Sequence, residues 1–450
     1  MKGDRKNMSA FTPRDWLFLI PCKDETSVFL YAPLHGLVTK VSQAGAEQLR
    51  GIIEALSVGN STTGFDPRAL GFLMDNRLTS LPEQWVLPST VLPAEQGITL
   101  SITNDCNLRC IYCYAKAGCD TTTLDYTIAK KAIVYSLKLA KSRGRKHFTL
   151  TFHGGGESLK HKRLLKTCVL YAERQAHVLE IALHISIVTN ATLITDDFAK
   201  WLKEYAVDNI TISLDGNEEI QNLQRPVIGG KGSFKASMHG ICNLKNHGIP
   251  FAIRATVTSL SVQAMPDFVR FLSKEIFAEQ GGLVHFEPLS LCGKASGATE
   301  LDVDPQLFVQ YYTEARVLGK DLNIRVVCTL DTFRRDKMQF CGASTGTMFC
   351  VCPDGSISGC SRITKASDKG SDLFFYGQIT LETDSPEIDM HKQTRIVEHG
   401  KLPESPCATC FARWNCQGFC PISRYLGENT FQESCIIVKQ LLLQDMLSEF

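Results

Sequence analysis

Three cysteines within eight residues constrain this chain more than any other feature. Cys106, Cys110 and Cys113 have C-x-x-x-C-x-x-C spacing and supply one thiolate fewer than a closed zinc or iron–sulfur site requires. Three thiolates on a four-iron cluster leave one iron open to a small molecule. Two plainer interpretations remain at this point: a zinc loop with a distant fourth ligand, and thiols packed in a core.

The other cysteines favour ligation over packing. The chain has 18 cysteines in 450 residues, and half of them lie between Cys341 and Cys435. The polar start is not followed by an apolar segment, so we expect no signal peptide, and no window approaches the roughly 18 apolar residues of a membrane helix. We therefore expect a cytoplasmic protein, without a membrane partner, whose clustered thiols bind metal rather than form disulfides. The net charge of +1 gives no indication of a nucleic-acid partner.

Residues 1–95 predict three strands followed by two helices, the outline of a winged-helix-like module. The strands are expected at 15–20, 27–31 and 37–41. The helices are expected after Ser42, which can cap the first, and from Pro67 to Met74. Such modules in peptide-modifying systems resemble a leader-binding domain that takes an extended peptide as an added strand. The alternative is an extension that only packs on the main domain.

From Gly97 the pattern alternates between strands and helices, which predicts an α/β fold. Asp125, Thr195 and Ser233 are candidate caps of the intervening helices. Six β–α units predict a parallel sheet with right-handed crossovers, a partial (β/α)6 TIM-like barrel whose ligands lie at the carboxyl ends of the strands. The strands are expected at 98–102, 148–152, 184–189, 209–214, 251–257 and 283–286.

Polar residues stand at successive strand ends. Glu157 can bind an ammonium, Arg225 a carboxylate, and Ser213 with Asp215 the hydroxyls of a ribose. Together with an open iron, these groups describe S-adenosylmethionine bound to a cluster. The set comprises Gly155, Gly156 and Glu157 after the second strand, Asn190 after the third, and Ser213, Asp215 and Arg225 in or after the fourth.

With these residues, positions 96–290 resemble the radical S-adenosylmethionine enzymes, which share the cysteine motif, the aromatic before its last cysteine and the Gly-Gly-Glu motif. The resemblance implies that an external flavodoxin-like or ferredoxin-like donor supplies one electron. It also implies that S-adenosylmethionine is cleaved to methionine and a 5′-deoxyadenosyl radical. The cofactor-binding set that it implies is Tyr112 beside the adenine, Gly155, Gly156, Glu157, Asn190, Ser213, Asp215 and Arg225.

The downstream cysteines resemble a SPASM extension, which holds two auxiliary 4Fe–4S clusters and brings the expected total to three. The resemblance assigns one cluster to Cys407, Cys410, Cys416 and Cys435. It assigns the other to Cys341, Cys360 and Cys420. The expected domains are 1–95 for peptide recognition, 96–320 for the partial barrel and 321–450 for the SPASM domain.

One ligand of the first auxiliary cluster is missing from the sequence pattern. Arg335 stands where related enzymes have a further cysteine. Cys328 is a candidate substitute, as are Cys350 and Cys352, and the alternative is an open iron that binds a substrate thiolate. The thiols without a motif are expected to be packed or at the surface; they are Cys22, Cys119, Cys168, Cys242 and Cys292.

The resemblance implies a peptide maturase that installs an intramolecular cross-link in a ribosomally made precursor peptide. The link would be a thioether or a C–C, C–O or C–N bond between side-chain atoms. Alternatives are a formylglycine-forming sulfatase maturase, a peptide epimerase, a cofactor-pathway enzyme and a non-catalytic electron-transfer protein. Sulfatase maturases carry an Asp where this chain has Ser361, which weighs against the first alternative. His153, Arg254 and Glu287 lie near strand ends and are candidates either for substrate contact or for structure.

Overall fold

The fold was established from a computed structural model of the chain. It describes residues 12–22, 26–82, 94–207, 209–278, 281–333, 339–403, 406–427 and 430–450. Arg335 lies outside these ranges. Within them, no helix is both long and apolar enough to cross a membrane.

The N-terminal module is an antiparallel three-stranded sheet with two helices. Strands β1 (Phe18–Pro21), β2 (Ser27–Ala32) and β3 (Leu37–Ser42) are followed by α1 (Gln43–Ser57) and α2 (Pro67–Asp75). Ser42 caps α1 by accepting a hydrogen bond from Gly45 N at 3.1 Å, as predicted. The first strand begins three residues later than predicted because Pro13–Asp15 forms a 3-10 turn.

A parallel sheet forms the centre of the molecule, and it confirms the six predicted strands and the partial barrel. The strands are β4 (Gly97–Leu100), β5 (His147–Phe152), β6 (Ala182–Thr189), β7 (Asn209–Ser213), β8 (Ala252–Val257) and β9 (Gly282–Pro288). The helices between them are α3 (Tyr126–Ser142), α4 (Lys162–Val178), α5 (Asp196–Glu204), α6 (Glu218–Gln224), α7 (Phe234–Asn246) and α8 (Met265–Phe271). Asp125 and Thr195 cap α3 and α5 through their side chains. Ser233 precedes α7 without capping it, and instead accepts a hydrogen bond from Gln221.

The sheet continues beyond both edges of the six strands. Beside β9 lies β10, and beside β4 lies β11, both parallel to their neighbours, so the sheet crosses the expected boundary at residue 320. The remaining elements are α9 (Pro305–Asp321), β10 (Ile324–Val327), β11 (Cys350–Val351), β12 (Ser356–Ser358), α10 (Ser371–Phe374), β13 (Phe375–Gln378), β14 (Glu387–Ile388), α11 (Met390–Gly400), α12 (Arg413–Cys416), α13 (Pro421–Tyr425) and α14 (Thr430–Ser448).

The N-terminal module packs directly on α12. Arg413 Nη1 donates to Asp15 Oδ1 at 2.9 Å, and Tyr31 Oη donates to Asn415 Oδ1 at 2.9 Å. Buried side chains of the module and of the barrel belong to one continuous core. The module is therefore held against the segment that links Cys410 to Cys416.

Candidate active site

The loop that carries the first three cysteines is fixed by its own backbone. Arg109 N donates to Pro226 O at 2.7 Å, and Ile111 N donates to Gln224 O at 3.0 Å. The Arg109 guanidinium turns back and donates to Cys106 O at 2.7 Å and to Leu108 O at 2.8 Å. The loop is thus pinned to the segment after α6, at the carboxyl end of the barrel.

The thiols of this loop lie together and are largely buried. Burial, with Glu157 and the two neighbouring thiols, raises the pKa of Cys106 to about 12. Burial raises the pKa of Cys110 to about 11, although Arg225 acts in the opposite direction. Without a metal, Cys106 and Cys110 stay protonated at neutral pH, so a cluster that takes them as thiolates must displace their protons.

The Gly-Gly-Glu motif docks against the segment that enters the cysteine loop. Gly156 N donates to Thr103 O at 2.7 Å, and Glu157 N donates to Asp105 O at 2.8 Å. A Cβ atom on Gly156 would lie 1.8 Å from Asp105 O. Glycine is required at position 156 because two backbone segments touch there.

Glu157 is a buried carboxylate whose hydrogen-bond donors, among the described residues, are all neutral. Its oxygens accept hydrogen bonds from Thr189 Oγ1 at 2.8 Å, Asn190 N at 2.9 Å and Leu159 N at 3.1 Å. Burial raises the pKa of this carboxyl, and the hydrogen bonds partly offset the effect. It has no ion pair within the described ranges, so an ammonium group of a ligand would find an uncompensated acid here.

Tyr112, Asp215 and Arg225 form one buried unit beneath the loop. The Tyr112 hydroxyl donates to Asp215, and Arg225 Nη1 donates to that hydroxyl at 2.8 Å. Asp215 also accepts from Gln224 Nε2 at 2.9 Å and Thr256 N at 3.0 Å. Asp215 therefore holds this unit together, and its contact with a ribose stays a prediction.

The other predicted cofactor residues face the same space. Asn190 and Ser213 line the cavity with Arg225, and Asn190 Nδ2 donates to Asn107 Oδ1 at 3.0 Å. Arg225 Nε is buried and has no hydrogen-bond partner within the described residues. An orphaned guanidinium nitrogen together with the uncompensated Glu157 fits the carboxylate and ammonium of an amino acid.

Two further groups of thiols match the auxiliary ligand sets. Cys341 and Cys420 lie close enough to Cys360 to raise its pKa, to about 12, after the larger effect of burial. Arg362 faces this group, with Nη1 3.8 Å from Cys420 Sγ. In the second group, Cys416 has a pKa of about 12, again mainly from burial. The thiols that add to this shift complete that group: Cys435, Cys407 and Cys410.

The candidate substitutes for a missing ligand lie elsewhere. Cys328 is buried beside Glu287 and Asp331. Cys350 is part of β11, and Cys352 Sγ lies 3.7 Å from Ile363 O. None of the three lines the cavity that Cys341 borders. In the described residues, no three Cys, His, Asp or Glu side chains are arranged to hold a single metal ion.

One cavity of about 510 Å³ connects the predicted cofactor-binding residues with auxiliary thiols. It is bordered by the first three cysteines, by the Gly-Gly-Glu motif and by one of the two auxiliary sets.

Among the thiols without a motif, Cys22 and Cys168 are buried and Cys119 and Cys242 are exposed, as predicted. Cys292 instead lines the cavity. Its position follows from Lys294 N, which donates to Cys113 O at 3.0 Å and brings the loop after β9 onto the cysteine loop.

A further part of the cavity wall carries His153, Arg254 and Glu287. Glu287 accepts hydrogen bonds from Thr329 Oγ1 at 2.7 Å and His285 Nε2 at 2.8 Å. Burial alone would raise the pKa of Glu287, but His285 and Arg254 outweigh it and the pKa is lowered. Burial and the Arg254 charge lower the pKa of His153 to about 4, so this ring is neutral at pH 7. The wall presents one anion, one cation and one neutral imidazole.

Comparison with known proteins finds a matching family model and proteins of similar fold. Residues 100–272 match the model of the radical SAM superfamily. An uncharacterized protein of Methanocaldococcus jannaschii is 36% identical over 175 residues, which cover 39% of this chain and 57% of that protein. An Fe-coproporphyrin III synthase of Methanosarcina barkeri is 28% identical over 46% of this chain and 51% of its own length. The chain thus spans only about half the length of these two relatives.

A longer match is to a cysteine-type anaerobic sulfatase-maturating enzyme of Clostridium perfringens. It is 23% identical over 68% of this chain and 87% of the enzyme. Among solved structures, native anSMEcpe with bound AdoMet and Cp18Cys peptide has a TM-score of 0.63 at 18% identity, over 79% of this chain and 98% of that one. Streptococcus suis SuiB bound to precursor peptide SuiA has a TM-score of 0.51 at 13% identity, over 91% and 95%. At such identities these two structures establish the shared fold only.

Proposed function

We propose that this chain, which carries a radical SAM domain over residues 100–272, modifies a peptide or protein substrate with S-adenosylmethionine and iron–sulfur clusters. The observation that supports this most directly is the single cavity bordered by the cysteine loop, by Glu157 and by Cys341, Cys360 and Cys420. When bound, the cluster and S-adenosylmethionine would supply reductive cleavage of the sulfonium and hence hydrogen abstraction.

The protein's own residues have distinct tasks in this proposal. Cys106, Cys110 and Cys113 would hold the first cluster, and Glu157 and Arg225 would bind the amino-acid end of S-adenosylmethionine. The hydrogen-bonded unit of Tyr112, Asp215 and Arg225 holds the cysteine loop in place before any cofactor binds. The cavity walls would position a substrate C–H bond and exclude water, which is where enzymes of this kind gain their rate.

We propose a precursor peptide as substrate and an intramolecular cross-link as product. Strand β3 is an edge of the N-terminal sheet, and an extended leader segment could add to such an edge through backbone hydrogen bonds. Two groups of auxiliary thiols, one at the cavity, would hold clusters that accept the electron released when the bond forms. An external flavodoxin-like or ferredoxin-like protein would supply the initial electron.

Formylglycine formation is the second candidate, because a sulfatase-maturating enzyme matches over most of its length. Ser361 lines the cavity directly after Cys360, where the resemblance would require an aspartate in a sulfatase maturase. A serine hydroxyl does not take up a proton at neutral pH. This position therefore favours a cross-linking maturase.

The experiment combines anaerobic reconstitution with co-expression. Reconstituted protein should bind on the order of 12 irons and release 5′-deoxyadenosine when reduced. Cys110→Ala should abolish that release, whereas Cys242→Ala, at an exposed thiol on α7, should not. Retained release in Cys110→Ala would refute the assignment of the cofactor site.

The substrate class is tested by co-expression with a short peptide encoded beside this protein, followed by mass spectrometry. A cross-link removes about two hydrogens from the peptide and gives linked fragments. Formylglycine from serine has the same mass change but reacts with aldehyde traps, and epimerisation changes chirality without a change in mass. Only the first result is compatible with the proposed cross-link.

A further inference from the structure

A second, larger hollow lies beside the cysteine loop. Its volume is about 830 Å³, and it is open to the surface. Asn107 lines it, together with the consecutive residues Lys160, His161, Lys162 and Arg163. Among the described residues, those that line it include no aspartate or glutamate.

This hollow and the active-site cavity are separated by a thin wall of backbone. Their linings share no residue. Cys106 faces the cavity while the next residue, Asn107, faces the hollow, and successive Cα atoms are only about 3.8 Å apart. Likewise, Glu157 faces the cavity and Leu159 faces the hollow. The hollow therefore comes close to the first cluster ligands without sharing a lining residue with the substrate space.

Within the described residues, the positive charge of the hollow is only partly neutralised. Lys160 pairs with Asp105, but neither Lys162 nor Arg163 has an ion pair in the part of the molecule that the structure describes. The Lys162 ammonium lies 5.3 Å from the centre of the Phe198 ring, and Lys166 lies 5.4 Å from the same ring. Aromatic faces thus hold two like charges close together at a surface.

This charge arrangement costs stability. Lys162 and Arg163 are the first residues of α4, where the helix dipole favours anions. In contrast, α5 has Asp196 and Asp197 in its first turn. A partner that brings negative charge to this rim would relieve the repulsion that the protein leaves uncompensated.

We infer that the hollow is the docking surface for an acidic one-electron carrier protein of the flavodoxin class. This inference rests on the proposed function, which requires one electron from outside. The docked carrier would give up one electron, and a cluster bound by Cys106, Cys110 and Cys113 would accept it. Because the hollow and the cavity have separate linings, the cavity remains available to the substrate, and both partners can be bound together.

Binding provides the first test, with oxidised flavodoxin as the probe and the reconstituted enzyme as the receptor. The double variant Lys162→Glu, Arg163→Glu should weaken binding roughly ten-fold at low salt and flatten its salt dependence. The control variant Lys235→Glu, Lys274→Glu changes two exposed lysines outside the hollow. Equal affinities for the two variants, measured by calorimetry, would refute the docking surface.

Turnover provides the second test and separates this inference from the proposed function. With reduced flavodoxin, the double variant should release 5′-deoxyadenosine several-fold more slowly, while with dithionite its rate should equal that of the unaltered enzyme. No release by the unaltered enzyme with dithionite would refute the proposed function itself. A loss in the variant with both reductants would show that the hollow serves the cofactor or the peptide, which would overturn the inference.

Discussion

The hydroxyl of Tyr112 donates a hydrogen bond to the carboxylate of Asp215, 103 positions later in the sequence. Arg225 donates to the same hydroxyl at 2.8 Å. This contact joins the cysteine loop to the end of β7, so the loop does not depend on a cluster alone for its position.

Tyr112→Phe should destabilise the protein and weaken cofactor binding. The change removes one partner each from Asp215 and Arg225, which are both buried, and such a loss costs about 1–3 kcal/mol. We expect a lower thermal midpoint and a higher Kd for S-adenosylmethionine. Tyr205→Phe, at a ring stacked on Trp201, is the control; an equal effect of both variants would contradict the assigned role.

Gly156→Ala should displace the cysteine loop. Its Cβ would meet Asp105 O at 1.8 Å, so one of the two backbone segments must move. We expect loss of S-adenosylmethionine binding and reduced iron content after reconstitution. Gly71→Ala in α2 is the control, because its Cβ meets no atom within 4 Å and alanine should stabilise that helix by about 0.5–1 kcal/mol. Normal iron content in Gly156→Ala would contradict the close contact.

Glu287→Gln should separate cofactor cleavage from product formation. Glu287 faces the cavity, and although burial acts to raise its pKa, His285 and Arg254 lower it, so it is ionised and able to accept a proton from the substrate. We expect unchanged 5′-deoxyadenosine release without peptide and a loss of peptide product of about 100-fold. Glu314→Gln, exposed on α9, is the control. Full product formation in Glu287→Gln would exclude a role as base.

His153→Gln should make stability less sensitive to acid. Burial and Arg254 lower the pKa of His153 to about 4, whereas an unfolded histidine has a pKa near 6.5. Above that value both states are neutral; as the pH falls below it, the unfolded state gains the proton first and stability is lost. Between pH 7 and pH 5.5 the loss should be about 1 kcal/mol. The free energy of unfolding, measured at both pH values, tests this loss, with His177→Gln, exposed on α4, as the control. An equal pH dependence of stability in His153→Gln and in the unaltered protein would refute the prediction.

Much of the barrel could be predicted because its signals are local. Each strand appeared as a short apolar segment, and caps such as Asp125 and Thr195 act within three residues of their position. The start of β1 was placed too early because the turn at Pro13–Asp15 depends on Thr12 capping it. Strands β10 and β11 were not assigned to the sheet, since a two- to four-residue strand is recognisable only from its neighbours.

The ligand chemistry was already present in the order of the amino acids. Two features belong to the covalent chain and do not depend on how it packs. They are the spacing of Cys106, Cys110 and Cys113 and the succession of polar residues along the strand ends. They were sufficient to predict an open cluster, its cofactor and the barrel that presents them.

How these parts meet depends on the folded molecule. In the folded protein, Tyr112 donates a hydrogen bond to Asp215, Cys292 lines the cavity and Asn107 lines the basic hollow. It also packed the N-terminal module on α12 through Asp15 and Arg413. Each of these contacts joins residues far apart in the sequence, and their pairing depends on packing that no local pattern encodes.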